Sequence, residues 1–231
     1  MRRLSLFAAI LLTALVLPGR ASVTQNQLEV DGSSSGNGTT VAATPNLIST
    51  YGTLTSSDFT NFENRSDYHV LNDGNLTNET AVTGDGNPWT LTVTLDTSTN
   101  TNGYTITGLD AFTGWTPDYV NQAYTISYST VSDPTDFIPF ATVSASNDAP
   151  SFEATTLETL LTPGAGQADI ESNVAALQYT FSQGAGDNSH IEAYTQVEAF
   201  GFADAVPEPS TYALMLGSLA LLGFCVRRKL A

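Results

Sequence analysis

The chain has 231 residues, with 23 Asp and Glu against 7 Lys and Arg, two histidines and one cysteine. Arg2, Arg3, Arg20, Arg227, Arg228 and Lys229 lie at the ends, so residues 22–206 set 22 acidic residues against Arg65 alone, a formal charge of −21. That sign excludes nucleic-acid binding, which needs several cations per site, while a hydrophobic content of 41% is enough for one folded core.

Residues 1–21 read as a secretory signal. Arg2 and Arg3 precede an apolar run from Leu4 to Leu17, then a helix-breaking Pro18-Gly19, then small residues at Gly19 and Ala21. Cleavage is expected after Ala21, by signal peptidase. Residues 22–50 are rich in Gly, Ser, Thr and Asn and read as a surface loop or flexible lead-in.

From 51 to 205 the pattern becomes one all-β domain. Trp89, Leu91, Val93 and Leu95 alternate with Thr90, Thr92 and Thr94, and Tyr124, Ile126 and Tyr128 alternate with Thr125, Ser127 and Ser129. Ile191, Ala193, Val197 and Ala199 suggest a shared face interrupted by Thr195, and further strands are expected at 104–109, 137–144 and 174–182. Thr, Tyr, Phe and Val suit a half-buried pleated surface, and turns such as Asn72-Asp73-Gly74 separate the runs. Only 152–161, with Phe152, Leu157, Leu160 and Leu161, has a helical spacing; it reads as a helix or a loop. The fold class expected is a β-sandwich of jelly-roll type.

The C-terminal segment 206–231 runs Val206-Pro207-Glu208-Pro209-Ser210, an uncharged stretch from Tyr212 to Val226, and the basic end Arg227-Arg228-Lys229. Fifteen helical residues reach about 22 Å, short of a roughly 30 Å hydrocarbon core, a gap that snorkelling arginines and an interfacial Tyr212 close. The basic cluster belongs on the cytoplasmic side, with the body outside. Cys225, within this stretch, is either a small apolar residue of a membrane helix or a lipidation site; the body itself has no cysteine.

This tail resembles the PEP-CTERM sorting signal of Gram-negative bacteria, on Pro207, Glu208 and Pro209, on Gly217 and Gly223 in the apolar span, and on Arg227 to Lys229. The resemblance implies recognition by an exosortase in the membrane, and a producer of extracellular polysaccharide or biofilm. The exported protein would be anchored through its C-terminus first, then found at the cell surface or in the matrix.

A second resemblance covers 67–201. Val70-Leu71-Asn72-Asp73-Gly74-Asn75, the Trp89-to-Asp96 strand, Tyr104-to-Leu109, Tyr124-to-Ser129 and the closing Val197-Glu198-Ala199-Phe200-Gly201 occur in the order seen in discoidin-type, galactose-binding-like domains. That group includes carbohydrate-binding modules. Many members hold a structural calcium ion between the Asp-Gly turn and the last strand. Carried over, the ligands are Asp73 and Asn75, with Asn78 at the place of a Thr and Gln196 at the place of a Glu, Glu198 being close by. The alternative for Asp73 is an Asx-turn that caps its own backbone. Sugar binding would use aromatic faces on end loops. Trp115 in Gly114-Trp115-Thr116-Pro117 is the first candidate and Tyr119 the second; both also fit packing beneath a long loop.

Catalysis has little to build on. His69 beside Ser66-Asp67 and His190 lack a Gly-x-Ser-x-Gly elbow, and neither His-Glu-x-x-His nor a Cys/His zinc spacing is present. The expected function is a non-catalytic, surface-sorted protein that binds polysaccharide or matrix. The alternatives are a structural matrix or biofilm protein without a specific ligand, and a minor glycan hydrolase.

Overall fold

The computed structural model describes residues 21–29, 46–57, 59, 68–72, 81–83, 88–114, 121–145, 155–183, 192–206 and 218, without the side chains of 26–29, 81–83, 155 and 156. In chain order the strands are β1 (Ala21–Glu29), β2 (Gly52–Ser57), β3 (Ala81–Thr83), β4 (Trp89–Leu95) and β5 (Tyr104–Gly114). Then follow β6 (Gln122–Thr130), β7 (Asp133–Ala145), β8 (Thr155–Pro163), β9 (Glu171–Phe181) and β10 (Glu192–Ala203). A short helix α1 (Leu47–Tyr51) precedes β2, and a 3-10 turn covers Tyr68–Asn72.

Every pairing is antiparallel. One layer runs β3-β10-β5-β8-β1 and the other β2-β4-β9-β6-β7. The first residues of β9 pair with the start of β5, Tyr104 opposite Val174, and thereby hold one corner of the two layers together. This is the expected β-sandwich.

Alternation explains the second layer directly. Leu91, Tyr179 and Ile126 sit side by side, as do Trp89, Phe181 and Tyr124, all buried. The other face carries the row Ser57, Thr90, Thr180, Thr125 and Thr142, one residue from each strand. The core is unusually phenolic, with Tyr104, Tyr124, Tyr179 and Tyr194 fully buried. Three hydroxyls are satisfied: Tyr104 donates to the Asp96 carbonyl, Tyr124 bonds Thr159 and Tyr194 accepts the Ala123 N–H at 2.9 Å.

Three expectations need correction. The segment 152–161 is neither helix nor loop from 155 onward, because Leu157, Thr159 and Leu161 turn inward at period two as part of β8. The lead-in at 22–50 is not merely an approach: its first eight residues continue β1 along β8, and Asn46 caps α1 while Leu47 and Ile48 enter the core. Ala21 is the buried first residue of β1, opposite Pro163. Finally, a bulge at Thr195 shifts the alternation of β10. Tyr194, rather than Ala193, shares the inward row of Val197 and Ala199, opposite Thr113, Ala111 and Leu109.

The Trp89 ring stacks on Phe181 at 4.3 Å and meets Phe59 edge-on at 4.9 Å. Trp89→Ala is therefore expected to cost about 3–5 kcal/mol, read as a lowered urea midpoint with an unchanged slope.

Candidate functional site

The two ends of the sandwich differ in kind. At one end β4 joins β5, β6 joins β7 and β8 joins β9 through described residues, and the chain leaves β10. At the other end lie the tips of β2, β3, β5, β7 and β9, from which the segments 58–67, 84–87, 115–120, 146–154 and 184–191 start. Trp115 and Tyr119 belong to one of these segments and lie outside the described residues, as do Asp73, Asn75 and Asn78. The apolar segments at both chain ends also lie outside them, and no described helix is long and apolar enough to cross a membrane.

What the structure does describe is the base of the 115–120 loop. Gln122, wholly buried at the start of β6, donates through Nε2 to the Leu157 carbonyl at 2.8 Å and to the Ala111 carbonyl and Thr113 hydroxyl at 3.2 Å. Its Oε1 accepts the Thr159 hydroxyl at 2.6 Å, and that hydroxyl also meets the Tyr124 phenol. One amide thus satisfies all its polar atoms and joins β6 to β5 and β8 just where β5 ends and β6 begins. Buried, fully paired networks hold a single geometry, so the end of β5 and the start of β6 are held in one arrangement. Nothing in the sequence marks Gln122 except a polar residue directly ahead of an apolar alternation.

The second polar group lies on β10. Both faces of this strand are buried, and its outward row includes Gln196 (2% exposed) and Glu198 (3% exposed). Gln196 donates from Nε2 to Glu198 Oε1 at 2.5 Å, while Gln196 Oε1 is buried without a hydrogen-bond partner. Glu198 faces Asp110 across the β10–β5 ladder, and Asp110 Oδ1 is likewise buried without a partner. The 3-10 turn packs against β10 and ends at Asn72, whose Nδ2 donates to the Ile48 carbonyl while its Oδ1 remains buried and unpaired. The Asp73 turn expected to bind calcium starts directly after it.

These atoms fit a hard cation in type. Amide and carboxylate oxygens are what calcium takes, and Asn72 Oδ1 and Gln196 Oε1 both lack a donor. No group of three or more Asp, Glu, His or Cys side chains among the described residues is placed to hold a metal by itself. The described residues include no lysine or arginine either. Burial, then the charges of Glu158 and Glu198, push the Asp110 carboxyl up to about 7; burial, then Glu158, raises Glu198.

The sign of the pH effect follows. A carboxyl whose folded pKa is raised keeps its proton in the folded state after the unfolded chain has lost it. Its favourable contribution is present at pH below the unfolded value and is lost as pH rises to about 7 for Asp110. Ordinary carboxylates have finished titrating by about pH 5.5, which leaves the window above it to the raised groups. The melting temperature should therefore fall further between pH 5.5 and 8, and Asp110→Asn should flatten that fall. A gain of a few degrees is expected for the variant at pH 8 and almost none at pH 5, by thermal denaturation.

Comparison with known proteins bears on the two parts separately. Residues 205–229 match the family model described as the PEP-CTERM protein-sorting motif. No curated protein matches the chain. Among solved structures it is similar to the module CpGH89CBM32-5 from Clostridium perfringens, solved in complex with GalNAc-beta-1,3-galactose. That match has 16% identity and a TM-score of 0.44 and covers 68% of this chain and 99% of that one. The C-terminal domain of a chitobiase from Bacteroides fragilis matches at 13% identity and a TM-score of 0.47, over 69% and 99% of the two chains. The CBM32 of AlyQ, in complex with 4,5-unsaturated mannuronic acid, matches at 15% and 0.38, over 64% and 93%. The chain thus carries a PEP-CTERM sorting motif at its C-terminus, behind a β-sandwich whose structural neighbours include carbohydrate-binding modules.

Proposed function

We propose that this is an exported, non-catalytic protein that binds extracellular polysaccharide through the loop end of its sandwich and is delivered to the cell surface or matrix by exosortase processing. The observation that carries the reading is the buried Gln122 amide, which ties the start of β6 to β5 and β8 at the point where the segment with Trp115 and Tyr119 leaves the described strands. Loops on a rigid scaffold are where binding groups concentrate. An aromatic ring there covers the C–H face of a sugar, and neighbouring polar groups set its orientation. The discoidin-type order of motifs and the sorting segment support the same reading.

Trp115→Ala should weaken retention of the exported body on the producer's own polysaccharide by about tenfold, near the 1.4 kcal/mol scale of one ring contact. Its melting temperature should stay nearly unchanged. A fall of many degrees would make Trp115 a core residue, and absence of retention by any glycan would favour a structural matrix protein.

Calcium has a place in this reading as a stabiliser. The ion would take Asp73 and Asn75, with the unpaired oxygens of Asn72 and Gln196 beside them, tying the 73–78 turn to β10. It would also relieve local repulsion in an acidic body. A ligand held only by the folded state adds about 2.7 kcal/mol at a hundredfold excess over its Kd. Millimolar calcium should therefore raise the melting temperature more than sodium chloride at matched ionic strength, and Asp73→Asn should abolish the difference. A variant that keeps the whole calcium-specific rise would leave Asp73 as a turn former.

A further inference from the structure

The chain is held beyond its last strand. β10 ends at Ala203, yet the next two residues make four hydrogen bonds to three other parts of the sandwich. The Asp204 carboxylate accepts the Thr105 hydroxyl at Oδ1 and the Asn173 N–H at Oδ2, the latter at 2.8 Å. The Asp204 N–H donates to the Gly103 carbonyl at 2.9 Å, and Asn102 Nδ2 donates to the Ala205 carbonyl at 2.8 Å. Thr105 lies in β5, Asn173 at the start of β9, and Asn102 and Gly103 in the turn before β5.

The parts that grip Asp204 are themselves specialised. Gly103 has φ +81°, and a Cβ there would come within 2.7 Å of the Val174 carbonyl oxygen. Asn173 is the one described non-glycine residue with positive φ, at 55°, and its carbonyl accepts the Val131 N–H from the β6–β7 turn. Domain ends ordinarily fray unless they are tied down. Here the tie stops two residues before Pro207, the first residue of the Pro-Glu-Pro motif.

We propose that the Asp204 clamp is a positioning device for processing: by fixing the chain through Ala205, it presents Pro207-Glu208-Pro209 to the exosortase at a set distance and direction from the folded body. The proposal rests on the sorting reading above and deepens it. From Ala205 to Tyr212, where the apolar stretch begins, seven residue steps span at most about 25 Å. The turn end of the sandwich is thereby brought close to the membrane face at which the enzyme works. Phe202 and Val206, among the few large apolar side chains exposed in the described residues, lie at this end. The enzyme would meet a rigid body edge beside the motif rather than a loose tail. Asp204 acts through the chain it holds and touches no reacting atom.

The test uses the full chain in a cell that processes it, with the mature fraction followed over time and the melting temperature of the body measured in parallel. An insertion of about six Gly and Ser residues between Val206 and Pro207 leaves the clamp intact but makes the approach flexible. It should slow processing several-fold without changing the melting temperature. Asp204→Asn, which sets an amide N–H2 against one of two donors, should slow processing in the same direction. Processing of the insertion variant at the wild-type rate, or faster, overturns the proposal. So does an Asp204→Asn chain that melts lower yet is processed normally, since the clamp would then serve stability alone. The triple change of Pro207, Glu208 and Pro209 to Ala is the control for the underlying reading: if it too is processed normally, sorting through this motif fails, and the positioning role with it.

Discussion

A body with 22 carboxylates and one arginine must settle every partly buried acid without a counter-ion. Lysine and arginine are the usual partners for such groups, and their absence leaves three physical routes: neutral donors, a retained proton, or a bound cation. All three are represented in this sandwich or proposed for it. Asp96 is held by Ser98 and Thr99, whose hydroxyl and N–H donors lower its pKa in the turn after β4. Asp204 takes a backbone N–H and a hydroxyl at the chain exit. Asp110, whose Oδ1 has no donor, is pushed up to about 7 by burial and then by Glu158 and Glu198, which favours the retained proton. The cation route is the one proposed for Asp73, which follows in sequence Asn72, whose Oδ1 no donor satisfies.

The same constraint shapes the division between the two ends. Donors from backbone are plentiful where turns are tight, because successive N–H groups converge there. The turn end can therefore anchor Asp96 and Asp204 at no cost in side-chain charge. At the opposite end, the described residues that flank segment 115–120 are held by neutral amides and hydroxyls: Gln122, Thr113, Thr159 and Tyr124. A loop set on such a base can vary in sequence while the strands beneath it stay in register.

How far the sequence was readable follows from which faces of a strand meet water. β4 has one partly wet face, so Thr alternates with Trp, Leu and Val, while β6 keeps the same period with Thr and Ser on a face that is itself mostly buried, and both strands were legible at once. β10 is buried on both faces, and a bulge at Thr195 changes its phase, so its inward row was assigned with Ala193 in place of Tyr194. β8 misleads differently: Leu157, Leu160 and Leu161 imitate a helix because Leu160 lies on the outer face beside Asp110. β1 was hidden by composition, being an edge strand rich in polar residues that needs hydrogen bonds from one side only. Gln196 was legible as a candidate ligand, but the Gln196–Glu198–Asp110 alignment needs the β10–β5 register, which no local pattern supplies. Phe200-Gly201 was legible as a closing signature, and its reason is steric: a Cβ at Gly201 would collide with the Thr105 carbonyl oxygen.

Thr105 joins these threads. Its carbonyl leaves no room for a side chain at Gly201, and its hydroxyl holds Asp204. Its strand runs on for nine residues to Gly114, about 30 Å away, next to Trp115 in sequence. The exit of the chain and the start of the segment with Trp115 are therefore opposite ends of one β5 strand, in register with β10 throughout apart from two bulges. A rigid strand separates the two in space, and the separation of about one strand length is a property of the β5–β10 register. Under the proposed reading, a group bound beyond Gly114 and a tail processed beyond Ala205 would sit at opposite ends of that register, so neither would need to displace the other.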